Sequence, residues 1–97
     1  SPMPARVGLL TVDITVTDSI TLKDKRQVVR SLLDRLAVRF NVSAAEVDRL
    51  DSRRRAQLGF SCVSNDGGHV REMLQAVLDA VRSDPRAVVE DSEIEVF

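Results

Sequence analysis

The side chains with the clearest chemical potential in this sequence are four cations close together in the first half of the chain. Lys23 and Lys25 lie two residues apart, and Arg26 and Arg30 follow them. Twelve of the fourteen basic residues are arginine, so the two lysines suggest a position at which a compact ammonium or a reactive amine is preferred. This cluster is the first candidate for nucleophilic chemistry or for binding an anion.

A second set of candidates lies later in the chain. Arg53, Arg54 and Arg55 follow one another and could extend an anion-binding surface. Cys62 could act as a nucleophile and His69 as a proton-transfer group, although Cys62 also fits a buried structural thiol and His69 a surface residue in the first turn of a helix. No second histidine or cysteine lies near His69 in the sequence, so no metal site is predicted.

Charge is distributed unevenly, although the formal net charge of −1 argues against a general nucleic-acid coat protein. The segment 21–39 contains six basic and two acidic residues, a local charge of +4. The segment 79–97 contains two basic and six acidic residues, a local charge of −4. We therefore expect one cationic and one anionic surface.

Length and composition predict one domain over residues 3–97. Of the 97 residues 43% are hydrophobic and 30% are charged, which is typical of a globular protein. No apolar run approaches the roughly 20 residues of a membrane span, and the N-terminus lacks the basic region and long apolar stretch of a secretory signal, so neither is expected. These features and the single cysteine favour a cytoplasmic protein. Ser1 and Pro2 before Met3 look like a remnant of an expression vector.

The first half of the chain predicts a strand, a helix and a second strand. Apolar and polar residues alternate through 7–17, which is typical of a half-buried strand. Thr21 is the predicted N-cap of an amphipathic helix, with Asp24 as its reciprocal partner in a capping box. Asn41 can end this helix, and 42–47 is a short strand candidate.

The second half predicts the same elements in the order strand, helix, strand. Residues 49–54 are the predicted hairpin connection, because strict alternation of apolar residues resumes after them. Asn65 or Asp66 can cap the second amphipathic helix, which Pro85 ends. The final strand lies within 87–97 and is expected to bury its aliphatic residues Ile94 and Val96.

The order β-α-β-β-α-β predicts a ferredoxin-like α+β fold, with two helices on one face of a four-stranded antiparallel sheet and the first and third strands central. The other sheet face is left uncovered. By alternation that face carries Leu9, Thr11, Asp13, Gln57, Gly59, Ser61, Val63, Asp91, Glu93 and Glu95.

The uncovered face lacks the side chains that bind RNA on a sheet. Domains that read single-stranded RNA in this way stack bases on aromatic rings. Phe40, Phe60 and Phe97 are the only aromatic residues, and the first two point toward the core. A phosphate-bearing partner would therefore meet the first helix and the hairpin instead.

Three stretches of the chain resemble the YlxP-like family of small bacterial proteins, domain of unknown function family 503. These stretches are Leu22–Arg26, Phe40–Ser43 with Ala45–Asp48, and Ser64–Asp66 with His69. The resemblance implies a ferredoxin-like fold and supplies no established active site. The family usually has an aromatic residue two positions before Arg55, where this chain has Arg53. Family genes often lie near genes of translation initiation and ribosome maturation, which implies a ribosome-associated accessory role.

The first functional hypothesis is a non-enzymatic module that binds ribosomal RNA or a ribosomal protein and needs no cofactor. Its motivation is the local charge of +4 in the segment 21–39. The binding residues would be Lys23, Lys25, Arg26, Arg30, Arg54 and Arg55.

The alternative is a small enzyme, or a pyridoxal-phosphate-dependent accessory protein, of amino-acid, sulfur or specialised metabolism. Lys23 or Lys25 would be the amine nucleophile, with His69 or Cys62 nearby and arginines holding the cofactor phosphate. A third hypothesis is a homo-oligomer formed through the open sheet face.

Overall fold

Six elements form in the computed structural model, which describes residues 4–97, so the expectation for Ser1 and Pro2 lies outside the described residues. They are β1 (Arg6–Val16), α1 (Leu22–Phe40), β2 (Ser43–Asp48), β3 (Arg55–Ser64), α2 (Gly67–Arg82) and β4 (Ala87–Val96). The β-α-β-β-α-β order confirms the predicted ferredoxin-like α+β fold.

The four strands form one antiparallel sheet in the order β2-β3-β1-β4, which confirms that the first and third strands are central. The register places Thr11 opposite Gly59 on one side and opposite Glu93 on the other. These three residues share the open face, as alternation predicted. Strands β2 and β4 form the two edges, with α1 beside β2 and α2 packed on β4 and β1.

A β-bulge in β4 was not predicted from the sequence. Asp13 pairs with Asp91 and Ile14 pairs with Val89, so Glu90 is the extra residue. The bulge reverses which side chains face the helices from that point onward. As a result, Ile94 faces the core while the acidic residues on either side of it face outward.

The core lies between the helices and the covered face of the sheet. Ile94 and Val96 pack against it but are only half-buried, contrary to the expectation of burial, because β4 is an edge strand. The fully buried aliphatic and aromatic residues are Leu10, Val12, Ile14, Val16, Leu32, Leu36, Ala56, Leu58, Phe60, Val70, Leu74, Val77 and Val81.

The two ends of α1 are fixed by the residues that the sequence indicated. The Thr21 hydroxyl accepts a hydrogen bond from the Asp24 backbone N–H at 3.1 Å, and the Asp24 carboxylate accepts one from the Thr21 N–H at 3.0 Å. This confirms the capping box. The backbone N–H groups of Thr21 and Ile20 lower the pKa of Asp24. Asn41 ends the helix in the left-handed conformation, with φ 51°.

A buried carboxylate joins α1 to the connection between α2 and β4. The side chain of Asp84 is only 4% exposed, and it accepts hydrogen bonds from Arg86 at 2.9 and 3.1 Å and from Arg35 at 2.9 Å. Arg86 also donates to the Ser31 hydroxyl at 3.3 Å. The hydrogen bonds of Arg86, and to a smaller extent that of Arg35, hold the pKa of Asp84 far below its usual range. The carboxylate therefore fixes α1 relative to the sheet.

We predict that Asp84→Asn destabilises the protein at neutral pH by about 1–3 kcal/mol, because the amide loses charge-assisted hydrogen bonds. Because the pKa of Asp84 is depressed in the folded state, Asp84 makes its full contribution to the free energy of unfolding above about pH 3.8, its ordinary pKa. This contribution declines as the pH falls below that value. Urea unfolding between pH 7 and pH 3 should show a smaller acid-dependent loss for the variant. The exposed Glu72→Gln is the matched control, and equal acid profiles for wild type and Asp84→Asn would contradict the prediction.

Candidate functional site

The outer face of α1 carries a row of four polar residues that we call the cationic stripe: Lys23, Arg26, Gln27 and Arg30. Their spacing of three, four and seven residues places them on one face of the helix, and all four are exposed. They line a shallow depression with a volume of 320 Å³. Within residues 4–97, none of their side chains makes a hydrogen bond or an ion pair, so their polar groups face solvent.

A groove runs beside the stripe, between α1 and the edge strand β2. Arg26 and Arg30 border it as well, and its volume is 340 Å³. Its remaining lining combines the apolar residues Val29, Leu33 and Ala44 with the acidic residues Asp34 and Glu46. The two arginines thus border both depressions.

Lys25 lies on the opposite side of α1 from the stripe and is fully buried. Its ammonium forms an ion pair with Glu46 at 2.7 Å and donates to the backbone carbonyl oxygens of Arg49 at 3.0 Å and Arg55 at 3.3 Å. The carbonyl oxygen of Leu50 lies 3.4 Å away. The expectation that Lys25 belongs to a surface cluster is corrected by this burial, since a phosphate cannot reach the ammonium.

The surroundings of Lys25 explain why a lysine occupies this position. The ammonium nitrogen of Lys25 carries three N–H donors that point in different directions. Its acceptors surround it on β2, on the loop that follows and at the start of β3. A planar guanidinium presents its donors in a fixed fork and does not fit such a set. The sequence contained a signal for this burial, because Lys25 precedes Val29, Leu32 and Leu36 at the spacing of the apolar stripe.

The hairpin arginines divide between two surfaces. The buried hydroxyl of Ser19 donates to the carbonyl oxygen of Arg53 at 2.6 Å and lies 3.3 Å from that of Thr21, the N-cap of α1. This contact places Arg53 and the adjacent Arg54 at the same end of the molecule as Lys23. Arg53 was not among the predicted binding residues, but together with Lys23 and Arg54 it forms what we call the cationic end of the molecule.

Arg55 belongs to a different surface, which corrects its predicted grouping with α1. Arg55 is the first residue of β3 and pairs with Thr15 of β1. The next residue, Ala56, is buried under the helices, so the Arg55 side chain lies on the open sheet face. Its Nε atom is buried without a hydrogen-bond partner in the described part of the chain.

Cys62 and His69 lie far from the lysines. Cys62 pairs with Gly8 near the end of β3, whereas Arg55, whose carbonyl oxygen binds Lys25, begins that strand. The seven residue steps between Arg55 and Cys62 span about 23 Å. Burial raises the pKa of the Cys62 thiol and disfavours the thiolate. His69 follows Asp66, whose carboxylate caps α2. The structure therefore does not assemble the amine, thiol and imidazole that the enzyme hypothesis brought together.

Within residues 4–97, the open sheet face is acidic along β4, and the exposed Phe97, whose N–H donates to the carbonyl oxygen of Val7, follows that strand at its end. Within residues 4–97, no group of three or more histidine, cysteine or acidic side chains has an arrangement that could hold a metal ion. No helix of this part of the chain is long and apolar enough to cross a bilayer. Self-association through the open face stays a prediction.

Comparisons with known proteins identify relatives and a similar fold. The family model "Protein of unknown function (DUF503)" matches residues 7–94. The chain is 32% identical over 79 residues to the uncharacterized protein YlxP of Bacillus subtilis (strain 168), covering 81% of this chain and 86% of that protein. The structured domain of Boca from Drosophila melanogaster superposes with a TM-score of 0.59 and 17% identity, covering 90% of this chain and 95% of that one. At this identity the Boca similarity shows the fold alone.

We predict that Lys25→Met lowers the free energy of unfolding by about 3–5 kcal/mol, because it leaves the carboxylate of Glu46 and several carbonyl oxygens without their donor. Lys23→Met is a matched control on the exposed side of the same turn and should change stability by less than about 0.5 kcal/mol. Urea unfolding followed by circular dichroism measures both. Equal stability of the two variants would show that the buried ion pair does not stabilise the fold.

Proposed function

This chain belongs to the DUF503 family, and we propose that it is a non-enzymatic accessory module that binds structured RNA, with ribosomal RNA as the expected partner. The observation that carries this proposal is the row of exposed cations Lys23, Arg26 and Arg30, which form no ion pair within residues 4–97. Guanidinium and ammonium groups in such a row match the repeated phosphates of a nucleic-acid backbone.

The position of the acidic residues supports the same ligand. The stripe lies on α1, which packs beside β2 at one edge of the sheet, whereas Glu90, Asp91, Glu93 and Glu95 lie on β4 at the other edge. A polyanion is attracted to the exposed cations of α1 and repelled by the carboxylates of β4. The first edge also carries Glu46, which is paired with Lys25, and Asp48. The charge distribution therefore orients the molecule on RNA even though its net charge is close to zero.

The hairpin adds two cations to this surface in a fixed position. Arg53 and Arg54 are exposed, and the hydroxyl of Ser19 holds the carbonyl oxygen of Arg53 near the start of α1. Lys25 binds the carbonyl oxygens of Arg49 and Arg55 on either side of these two arginines. Because the loop is held in the free protein, less conformational entropy is lost when its arginines bind phosphate.

Binding is favoured over the enzyme hypothesis by the location of the candidate groups. Lys25 has its ammonium buried in an ion pair, and Cys62 and His69 lie toward the opposite end of the molecule. A nucleophile and its proton-transfer partner must lie within hydrogen-bond reach of each other or of one substrate. Binding of phosphates by a surface of exposed cations does not require such a pair of adjacent groups.

We predict that the double substitution Arg26→Ala and Arg30→Ala weakens binding to a labelled fragment of structured ribosomal RNA, because it removes two phosphate contacts. Fluorescence anisotropy at about 50 and 200 mM salt should show that wild-type affinity falls as salt rises. The slope of log affinity against log salt should be smaller in the variant by about 2.

The double substitution Arg71→Ala and Arg82→Ala removes the same charge from exposed positions on α2 and is the matched control. It should retain most of the wild-type affinity. Absence of binding at low salt, or equal loss in both double variants, would contradict the proposal.

A further inference from the structure

Resting on the proposed function, we infer that the cationic stripe binds double-helical RNA rather than single strands, and that Gln27 distinguishes RNA from DNA by contacting a 2′-hydroxyl group.

The first observation is the absence of a stacking surface beside the stripe in residues 4–97. Phe60 is fully buried, and Phe40 is half-buried with the Arg39 guanidinium 4.8 Å from its ring centroid. Phe97 is exposed but follows β4, at the end of the sheet away from the start of α1. Proteins that bind single strands stack bases on aromatic rings, whereas a duplex keeps its bases stacked inside and presents its backbone.

The second observation is the placement of the cations on two separate elements. Lys23, Arg26 and Arg30 form a row about 10 Å long on a rigid helix. Arg53 and Arg54 lie beside the start of this row, on a loop fixed by Ser19 and Lys25. In a duplex, the row on α1 could contact the phosphates of one backbone, and Arg53 and Arg54 could contact those of the other backbone across a groove. One flexible strand would not need two fixed elements.

The third observation concerns the one neutral residue of the stripe. Gln27 is exposed, lies between Arg26 and Arg30, and lines the same 320 Å³ depression, and its amide has no hydrogen-bond partner in the described part of the chain. An amide both donates and accepts, as does a 2′-hydroxyl group, whereas lysine and arginine only donate. Among the four residues, Gln27 alone can satisfy both functions of a ribose hydroxyl.

The test compares a duplex RNA of about 16 base pairs, a duplex DNA of the same sequence, and one isolated RNA strand, at fixed low salt. Wild type should bind the RNA duplex most tightly. Gln27→Leu, of similar size, should weaken RNA-duplex binding roughly fivefold and leave DNA-duplex binding unchanged. Gln75→Leu on the exposed face of α2 is the matched control and should alter neither affinity.

The outcomes separate the two proposals. Failure of all three nucleic acids to bind would overturn the proposed function together with this inference. Equal or tighter binding of the single strand would overturn the duplex inference alone. An unchanged ratio of RNA-duplex to DNA-duplex affinity in Gln27→Leu, with its thermal melting curve also unchanged, would overturn the assignment of Gln27.

Discussion

The buried ion pair between Lys25 and Glu46 is the interaction on which the cationic end of this protein depends. It joins α1 to β2, and the same ammonium binds the carbonyl oxygen of Arg49 on the connection that follows and that of Arg55 at the start of β3. Transferring an ammonium from water to a protein interior costs several kcal/mol, which the carboxylate and the surrounding carbonyl dipoles must offset. Because these acceptors come from separate segments, the ammonium keeps them together and holds the arginines of the hairpin beside the helix.

The separation of charge across the sheet depends on a second local feature, the bulge at Glu90. Ala87 and Val89 face the helices before the bulge, and Ile94 faces them after it. Strict alternation from Ala87 would have turned Glu93 toward the core instead. The extra residue therefore keeps the carboxylates of β4 in solvent, at the edge of the sheet opposite the cations of α1.

Neither the family relationship nor the fold identifies the activity of this protein, so the activity must be inferred from the chemistry of its surface. The Bacillus relative is itself uncharacterized, and the Boca domain shares the fold at 17% identity. One fold supports many unrelated functions, so the chemistry of individual side chains must carry the argument. The cationic stripe of α1 combines three exposed cations with one amide, which is a combination suited to a sugar-phosphate backbone.

The sequence alone determined the elements and the outward position of Lys23, Arg26 and Arg30, because helical periodicity and the capping box of Thr21 and Asp24 depend on residues within a few positions. Only the tertiary structure decided the burial of Lys25, whose acceptors lie 21 to 30 positions along the chain. A charged side chain can be buried only where distant segments supply its partners, and pairing of those segments is a property of the folded sheet.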